Sequence, residues 1–418
     1  MLRPAILKNI ATRNPASTRD PPQPKFNGAR MADVYLISDD LTRAEKLRAK
    51  LAFNFWIEIA PIDTLPDGVN EGDCILLIDC DLGEKASAEP LKALMERVPS
   101  PDKSIVLVDG SGFIGQARGN ALGGGQIFSR GIKIATLSYA LDTMLHDIRP
   151  LPQNGTSPEV RRVLDQARRL HQDIALAVHD NKALPKKAIE TVLRKLVDVL
   201  AFHGIGSWID AVRLHHSHTY RHSMLVTGYA VVFGQQMALD AADIDLLAIA
   251  ALLHDVGKVR IPLSVLDKPG KLTSEEFDLI KNHPIYSRDI LVDDGQFAPA
   301  VINAAYQHHE FIDGSGYPEG LKGDQIAPLV RMLTIADIYA ALTEVRSYKR
   351  AYSNREAFHI MTEMVGKLDS RLLNAFRPIV LDETFGRVRR RKAANAQQDR
   401  PVLQAGIHPL DRNRTVAM

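Results

Sequence analysis

Cysteine is nearly absent from this chain: Cys74 and Cys80 are the two in 418 residues, six apart in one apolar segment. A pair so placed builds no disulfide framework, which points to a reducing cytosol. Long hydrophobic runs are absent too. No stretch reaches the roughly 18 uninterrupted apolar residues that span a bilayer. The first residues carry Arg3 and Lys8 with no apolar core before Arg13, so no secretory signal is expected. A cytoplasmic protein without a membrane partner is the expectation. Net charge is also scarce, at +2, but unevenly spread. Residues 1–31 and 387–418 are rich in Lys and Arg, and the stretch between them is net acidic. Both ends carry Pro, Asn, Gln and Arg without periodicity, which reads as disordered basic tails over 1–31 and 385–418. Runs such as Arg387, Arg389, Arg390, Arg391 and Lys392 are usually solvated, and no nucleic-acid partner is expected.

What is present is the composition of a globular protein, 45% hydrophobic and 24% charged. The length asks for two domains. From Ala32, short apolar runs alternate with amphipathic segments. Val34-Tyr35-Leu36-Ile37, Cys74-Ile75-Leu76-Leu77-Ile78 and Ile105-Val106-Leu107-Val108 read as buried strands, with helices near 42–52 and 88–98. Such alternation predicts an α/β domain with a parallel sheet over 32–146, its function at the carboxyl ends of the strands. Residues 147–157 are a Pro/Gly/Asn-rich linker. Ser157-Pro158-Glu159 then opens helical periodicity that continues over 158–384, an all-α domain.

Acids stand where the first domain's strands end: Asp39 and Asp40 after the first run, Asp79 after the second. Hard oxygen ligands of this kind suit a small cation. Over about 115 residues this resembles a response-regulator receiver domain, in which a paired acid and a phosphate-accepting aspartate hold Mg²⁺. The resemblance makes Asp79 the candidate phosphoacceptor. The chain departs from that pattern at Arg130, where the family has lysine, at Gly131, where proline is usual, and at the Ile105–Val108 strand, which no Ser/Thr closes. A degenerate receiver, serving dimerisation or partner docking, is the first reading.

The helical half carries the chemistry. His254-Asp255 ends the run Leu246-Leu247-Ala248-Ile249-Ala250-Ala251-Leu252-Leu253, His222 lies upstream, His283 follows, His308-His309 closes another apolar helix, and Asp337 interrupts Leu333-Thr334-Ile335-Ala336. One buried histidine is usually a hydrogen-bonded core residue. A set recurring on faces of Ala, Leu and Ile is different, because each buried polar group needs a compensating partner. Mixed imidazole and carboxylate ligation suits Fe, Mn, Zn or Co rather than Ca²⁺. Two such ions clamp a phosphoryl group and activate water, so the residues alone read as a dinuclear metallohydrolase.

His254-Asp255 with Lys258 resembles the HD phosphohydrolase signature. His308-His309-Glu310 followed by Asp313-Gly314-Ser315-Gly316-Tyr317-Pro318 is similar to the extended motif of the HD-GYP subfamily, and Ile261-Pro262, Lys268-Pro269-Gly270-Lys271-Leu272-Thr273 and Gly320-Leu321-Lys322-Gly323 flank it in order. The resemblance implies an all-α fold and hydrolysis of the bacterial messenger cyclic di-GMP to linear pGpG, and onward to GMP, by a metal-bridging hydroxide. It implies metal ligands at His222, His254, Asp255, His283, His308, His309 and Asp337, with Asp255 as the bridge. It places Lys258 on a phosphate oxygen, Arg346 and Lys349 on the ligand's phosphates, and Tyr317 near the guanine. Fe or Mn leads as the metal, with Zn, Co or Ni behind. Diguanylate cyclases and other signalling proteins are the implied partners, and a homodimer through 158–220 the expected assembly. Departures are Ala340 for a common Asp, Ser347 for a proline, Leu368-Asp369-Ser370 for Phe-Asp-Pro, and His218 where trinuclear members have Glu. The last implies two ions rather than three. The second reading is a non-catalytic sensor or docking module, and the third a hydrolase of another nucleotide.

Overall fold

The computed structural model describes residues 32–52, 54–62, 74–109, 113–123, 125–148, 156–213, 218–266, 268, 271–344 and 351–381. The tails read as disordered, and Arg346 and Lys349, lie outside the described residues.

The front region alternates β1 (Val34–Ser38), α1 (Leu41–Leu51), β2 (Ile57–Ala60), β3 (Ile75–Asp79), α2 (Lys85–Met95), β4 (Ser104–Val108), α3 (Phe113–Ala121), β5 (Gln126–Ser129) and α4 (Ile134–Ile148). The strands form one parallel sheet in the order β2-β1-β3-β4-β5. This is the flavodoxin-like doubly wound order, which puts a crevice at the carboxyl ends of β1 and β3. Side chains alternate across the central strands. Tyr35, Ile37, Leu76, Ile78, Val106 and Val108 pack under Leu91, Leu94 and Met95 of α2. Val34, Leu36, Ile75, Leu77, Ile105 and Leu107 pack against Ala44 and Leu51 of α1 and Leu137 and Leu141 of α4 on the other face. Burial on both faces explains why these strands are continuous apolar runs.

Helix α2 begins at Lys85 and stops at Met95, earlier at both ends than the 88–98 expected. Pro90 lies inside this helix, where it cannot donate to the Ala86 carbonyl one turn back, and Val98 reaches the core after the helix has ended. Helix α4 runs to Ile148, into the stretch read as linker.

The second region is helical: α5 (Pro158–His179), α6 (Lys186–Arg213), α7 (His218–Gln236), α8 (Ala241–Leu253), α9 (Leu263–Leu266), α10 (Ser274–Ile280), α11 (His283–Asp294), α12 (Pro299–Gln307), α13 (Pro328–Thr343), α14 (Asn354–Thr362) and α15 (Ser370–Leu381). Ser157 caps α5 by accepting the Val160 N–H at 3.2 Å, with Pro158 in the first turn. Helix α6 breaks at Gly204, whose φ of 76° is left-handed and suits glycine. One hydrophobic core joins α5 to α8 with α11 to α15. No helix among the described residues is long and apolar enough to cross a membrane.

Candidate metal centre

Five helices deliver the histidines and aspartates to one point. His222 lies in α7, His254 caps the end of α8, Asp255 follows it, His283 opens α11, His308 caps α12, His309 follows, and Asp337 sits mid-way along α13. A short 3-10 turn, Val256–Arg260, carries the chain from Asp255 towards α9. Gly257 lets this turn meet α11. A Cβ there would stand 2.2 Å from the His283 carbonyl oxygen and 2.4 Å from the Ser287 nitrogen. Ser287 Oγ accepts the Gly257 N–H and donates to the His254 carbonyl, each at 2.8 Å, so one hydroxyl stitches the end of α8 to α11.

Asp255 stands between two groups of histidines. Its Oδ2 lies 3.2 Å from His254 Nε2 and 3.5 Å from His222 Nε2. Its Oδ1 lies 3.2 Å from His283 Nε2 and 3.9 Å from His308 Nε2. Asp337 Oδ1 is 3.1 Å from His222 Nε2, and its Oδ2 is 3.9 Å from His309 Nδ1. Two sets offer ligand atoms within 4.8 Å of one another: His222, His254 and Asp255; and His283, His308 and His309.

These residues fit divalent cations on the chemistry of the donors. His254, His283 and His308 each place Nδ1 on the carbonyl three residues back, at 2.7, 2.7 and 2.9 Å. A carbonyl only accepts, so the proton is on Nδ1 and the Nε2 lone pair faces inward. His283 and His308 then aim two lone pairs at each other across 3.2 Å, an arrangement that asks for a cation. His254 Nε2 and Asp255 Oδ1 are buried without a hydrogen-bond partner. Burial raises the Asp255 carboxyl, but His254 and Lys258 outweigh it and hold it well below the usual carboxylate range. Burial, reinforced by neighbouring imidazoles, pushes His308 and His309 well below the ordinary histidine value.

The remaining expected residues are placed as follows. Lys258 is paired with Asp255 Oδ2. The Tyr317 ring lies against His309, centroids 4.8 Å apart and tilted by 30°. Glu310 ties down the loop that follows it, accepting the N–H groups of Glu319, Gly320 and Leu321. Ala340 is buried in α13. Position 218 begins α7, and its side chain lies outside the described residues. Sequence reasoning missed Glu344, buried at the end of α13 beside His222. Its spacing of seven from Asp337, two helical turns on one face, was the available signal.

In the front region, Asp39, Asp40 and Asp79 do meet at the carboxyl ends of β1 and β3. Arginines occupy the space between them. Arg130 Nε lies 2.6 Å from Asp79 Oδ1 and Arg43 Nε 2.9 Å from Asp79 Oδ2. Arg43 also pairs with Asp39 and Asp40, and Arg130 with Asp109.

Residues 207–372 match the family model described as "HD domain". A cyclic di-GMP phosphodiesterase, PA4108, of Pseudomonas aeruginosa is 39% identical over 170 residues, 40% of this chain and 41% of that protein. The response regulator RpfG of Xanthomonas campestris, also named a cyclic di-GMP phosphodiesterase, is 38% identical over 35% of this chain and 39% of its own length. A 3′3′-cGAMP-specific phosphodiesterase of Vibrio cholerae is 29% identical over 81% of this chain and 77% of its own. The matched stretch thus spans about two-fifths of the first and second of these relatives. Among solved structures, Bd1817, an HDG"Y"P protein from Bdellovibrio bacteriovorus, aligns at 21% identity and a TM-score of 0.43, covering 59% of this chain and 81% of that one. Motif and family model agree on one point: residues 207–372 of this chain match the HD domain.

Proposed function

We propose that this chain is a metal-dependent phosphodiesterase that opens cyclic di-GMP to linear pGpG. The observation that carries the reading is the convergence of imidazole lone pairs on one buried carboxylate, Asp255, from two sides. His222, His254, Asp255 and Asp337 would hold one divalent ion, and Asp255, His283, His308 and His309 a second, with Fe or Mn the expected metals. Such ions supply the Lewis acidity that activates water and neutralises charge on a phosphate. In the reaction, water oxygen bonds to one phosphorus, the bond to the 3′-oxygen breaks, and that oxygen leaves as a hydroxyl. A second hydrolysis would give GMP. Lys258 stands ready to trade its Asp255 contact for a non-bridging phosphate oxygen, and Tyr317, backed by His309, to flank a base. Arg346 and Lys349 are assigned to the phosphates by resemblance alone. The protein would work in the bacterial cytoplasm, as a homodimer, with diguanylate cyclases among its partners. The front region, 32–146, would serve docking rather than phosphorylation at Asp79.

The relative aligned over most of the chain is named for 3′3′-cGAMP, so the substrate comparison matters. The test is incubation of Mn²⁺- or Fe²⁺-loaded protein with each cyclic dinucleotide, followed by chromatography of the products. pGpG from cyclic di-GMP is expected; preferential loss of cGAMP would reassign the substrate, and binding without turnover would favour the sensor. The Asp255→Ala variant should lose both turnover and bound metal, because one carboxylate serves both sets. Retained hydrolysis in that variant would sink the metal reading.

A further inference from the structure

His222 differs from its neighbours in how its outer nitrogen is held. His254 and His308 cap helices and use carbonyls of the last turn, which have no partner in the helix ladder; His283 uses one at the end of α10. His222 lies inside α7, where the carbonyls behind it belong to the helix's own hydrogen bonds. Its Nδ1 is buried without a hydrogen-bond partner and faces Glu344 Oε2 at 3.7 Å. Its Nε2 faces Asp337 and Asp255. Glu344 is 2% exposed, stands outside the candidate ligand set, and has Oε1 held by Arg221 Nε at 3.2 Å. Arg221 itself directly precedes His222 in α7.

We propose that Glu344 is a positioning residue for the metal centre. Its carboxylate takes the place that a main-chain carbonyl has behind the other histidines. It accepts the Nδ1 proton of His222 and thereby fixes the Nε2 lone pair towards Asp255 and Asp337, while Arg221 holds the carboxylate in place. The gap exceeds hydrogen-bond length by about 0.5 Å and closes with a small rotation of the Glu344 side chain. Carboxylates behind a ligating imidazole set its tautomer and raise its basicity.

This inference rests on the metal-binding reading, and its test separates the two. Mn²⁺ affinity is measured by chelator competition for the full-length wild type, Glu344→Ala, Glu344→Gln, His222→Ala, and the Glu344 variants combined with His222→Ala. Glu344→Ala should weaken the affinity for one ion by about 10- to 100-fold. Glu344→Gln, which keeps an acceptor, should lose less. Neither should matter once His222 is alanine, since residues acting through one another are not additive. Equal losses in both backgrounds, or wild-type affinity in the Glu344 variants, would overturn the proposal. Glu344→Gln preserves volume and carries the same comparison if the alanine variant does not fold. A wild type that binds no Mn²⁺ would instead overturn the metal reading, and this one with it.

Discussion

His171 sits neutral in α5, 4% exposed, with its ring edge-on to Tyr220 at 5.6 Å. Burial lowers its pKa from 6.5 to about 3. Between those values the unfolded chain binds a proton that the folded one refuses, so stability falls as pH drops through this window and is full above it. At pH 5 the deficit is about 2 kcal/mol. Urea unfolding of wild type and His171→Gln at pH 7 and pH 5 checks this. The wild type should lose about 2 kcal/mol more than the variant on acidification, and parallel losses would show that His171 is not the group responsible.

At the scale of elements, the site depends on helix ends brought together more tightly than any side chain but glycine's allows. Gly257→Ala would drive a methyl into the backbone at the start of α11, displacing His283. A loss of about 1–3 kcal/mol is expected, as for other overpacked sites, together with reduced metal content. Gly206→Ala in α6, where a Cβ meets nothing within 4 Å, is the control and should be neutral or stabilising. These contacts also explain what was legible in the sequence. Central strands β1, β3 and β4 announce themselves because both faces are buried. Edge strands β2 (Ile57-Glu58-Ile59-Ala60) and β5 (Gln126-Ile127-Phe128-Ser129) are half-exposed and carry no apolar run, so they passed unread. The histidines and aspartates stood out as polar residues on apolar faces. Ser287, Thr334 and Glu344 did not, since their roles exist only once distant helices meet. Thr334 Oγ1, for instance, donates to the His308 carbonyl at 2.9 Å, 26 residues away. Lys258 reaches Asp255 across three positions, a contact that this spacing allows on a helical turn.

Across the whole molecule, α4 of the front region docks on α5 through buried charge. Asp142 pairs with Arg168, their side chains 9% and 10% exposed, and Tyr139 donates to Asp173 beside them. Helix α5 also packs on the Val256–Arg260 turn that carries Lys258, so it touches both regions. Asp142→Ala would strand the Arg168 guanidinium in this interface at a cost of about 3–5 kcal/mol. Adding Arg168→Met should recover most of that loss, because two apolar partners need no counter-charge. Chemical unfolding of both variants decides it: an unaffected single variant would mean that water reaches the pair. The front sheet's acid pocket has a consequence of its own. Both oxygens of Asp79 are already engaged by guanidinium groups from the same chain. A magnesium ion or a phosphoryl donor would therefore have to displace guanidinium groups that the fold itself supplies. In the vocabulary of circuits, the input terminal is occupied by wiring from its own board, and labelling of Asp79 by acetyl phosphate would require Arg43 and Arg130 to let go.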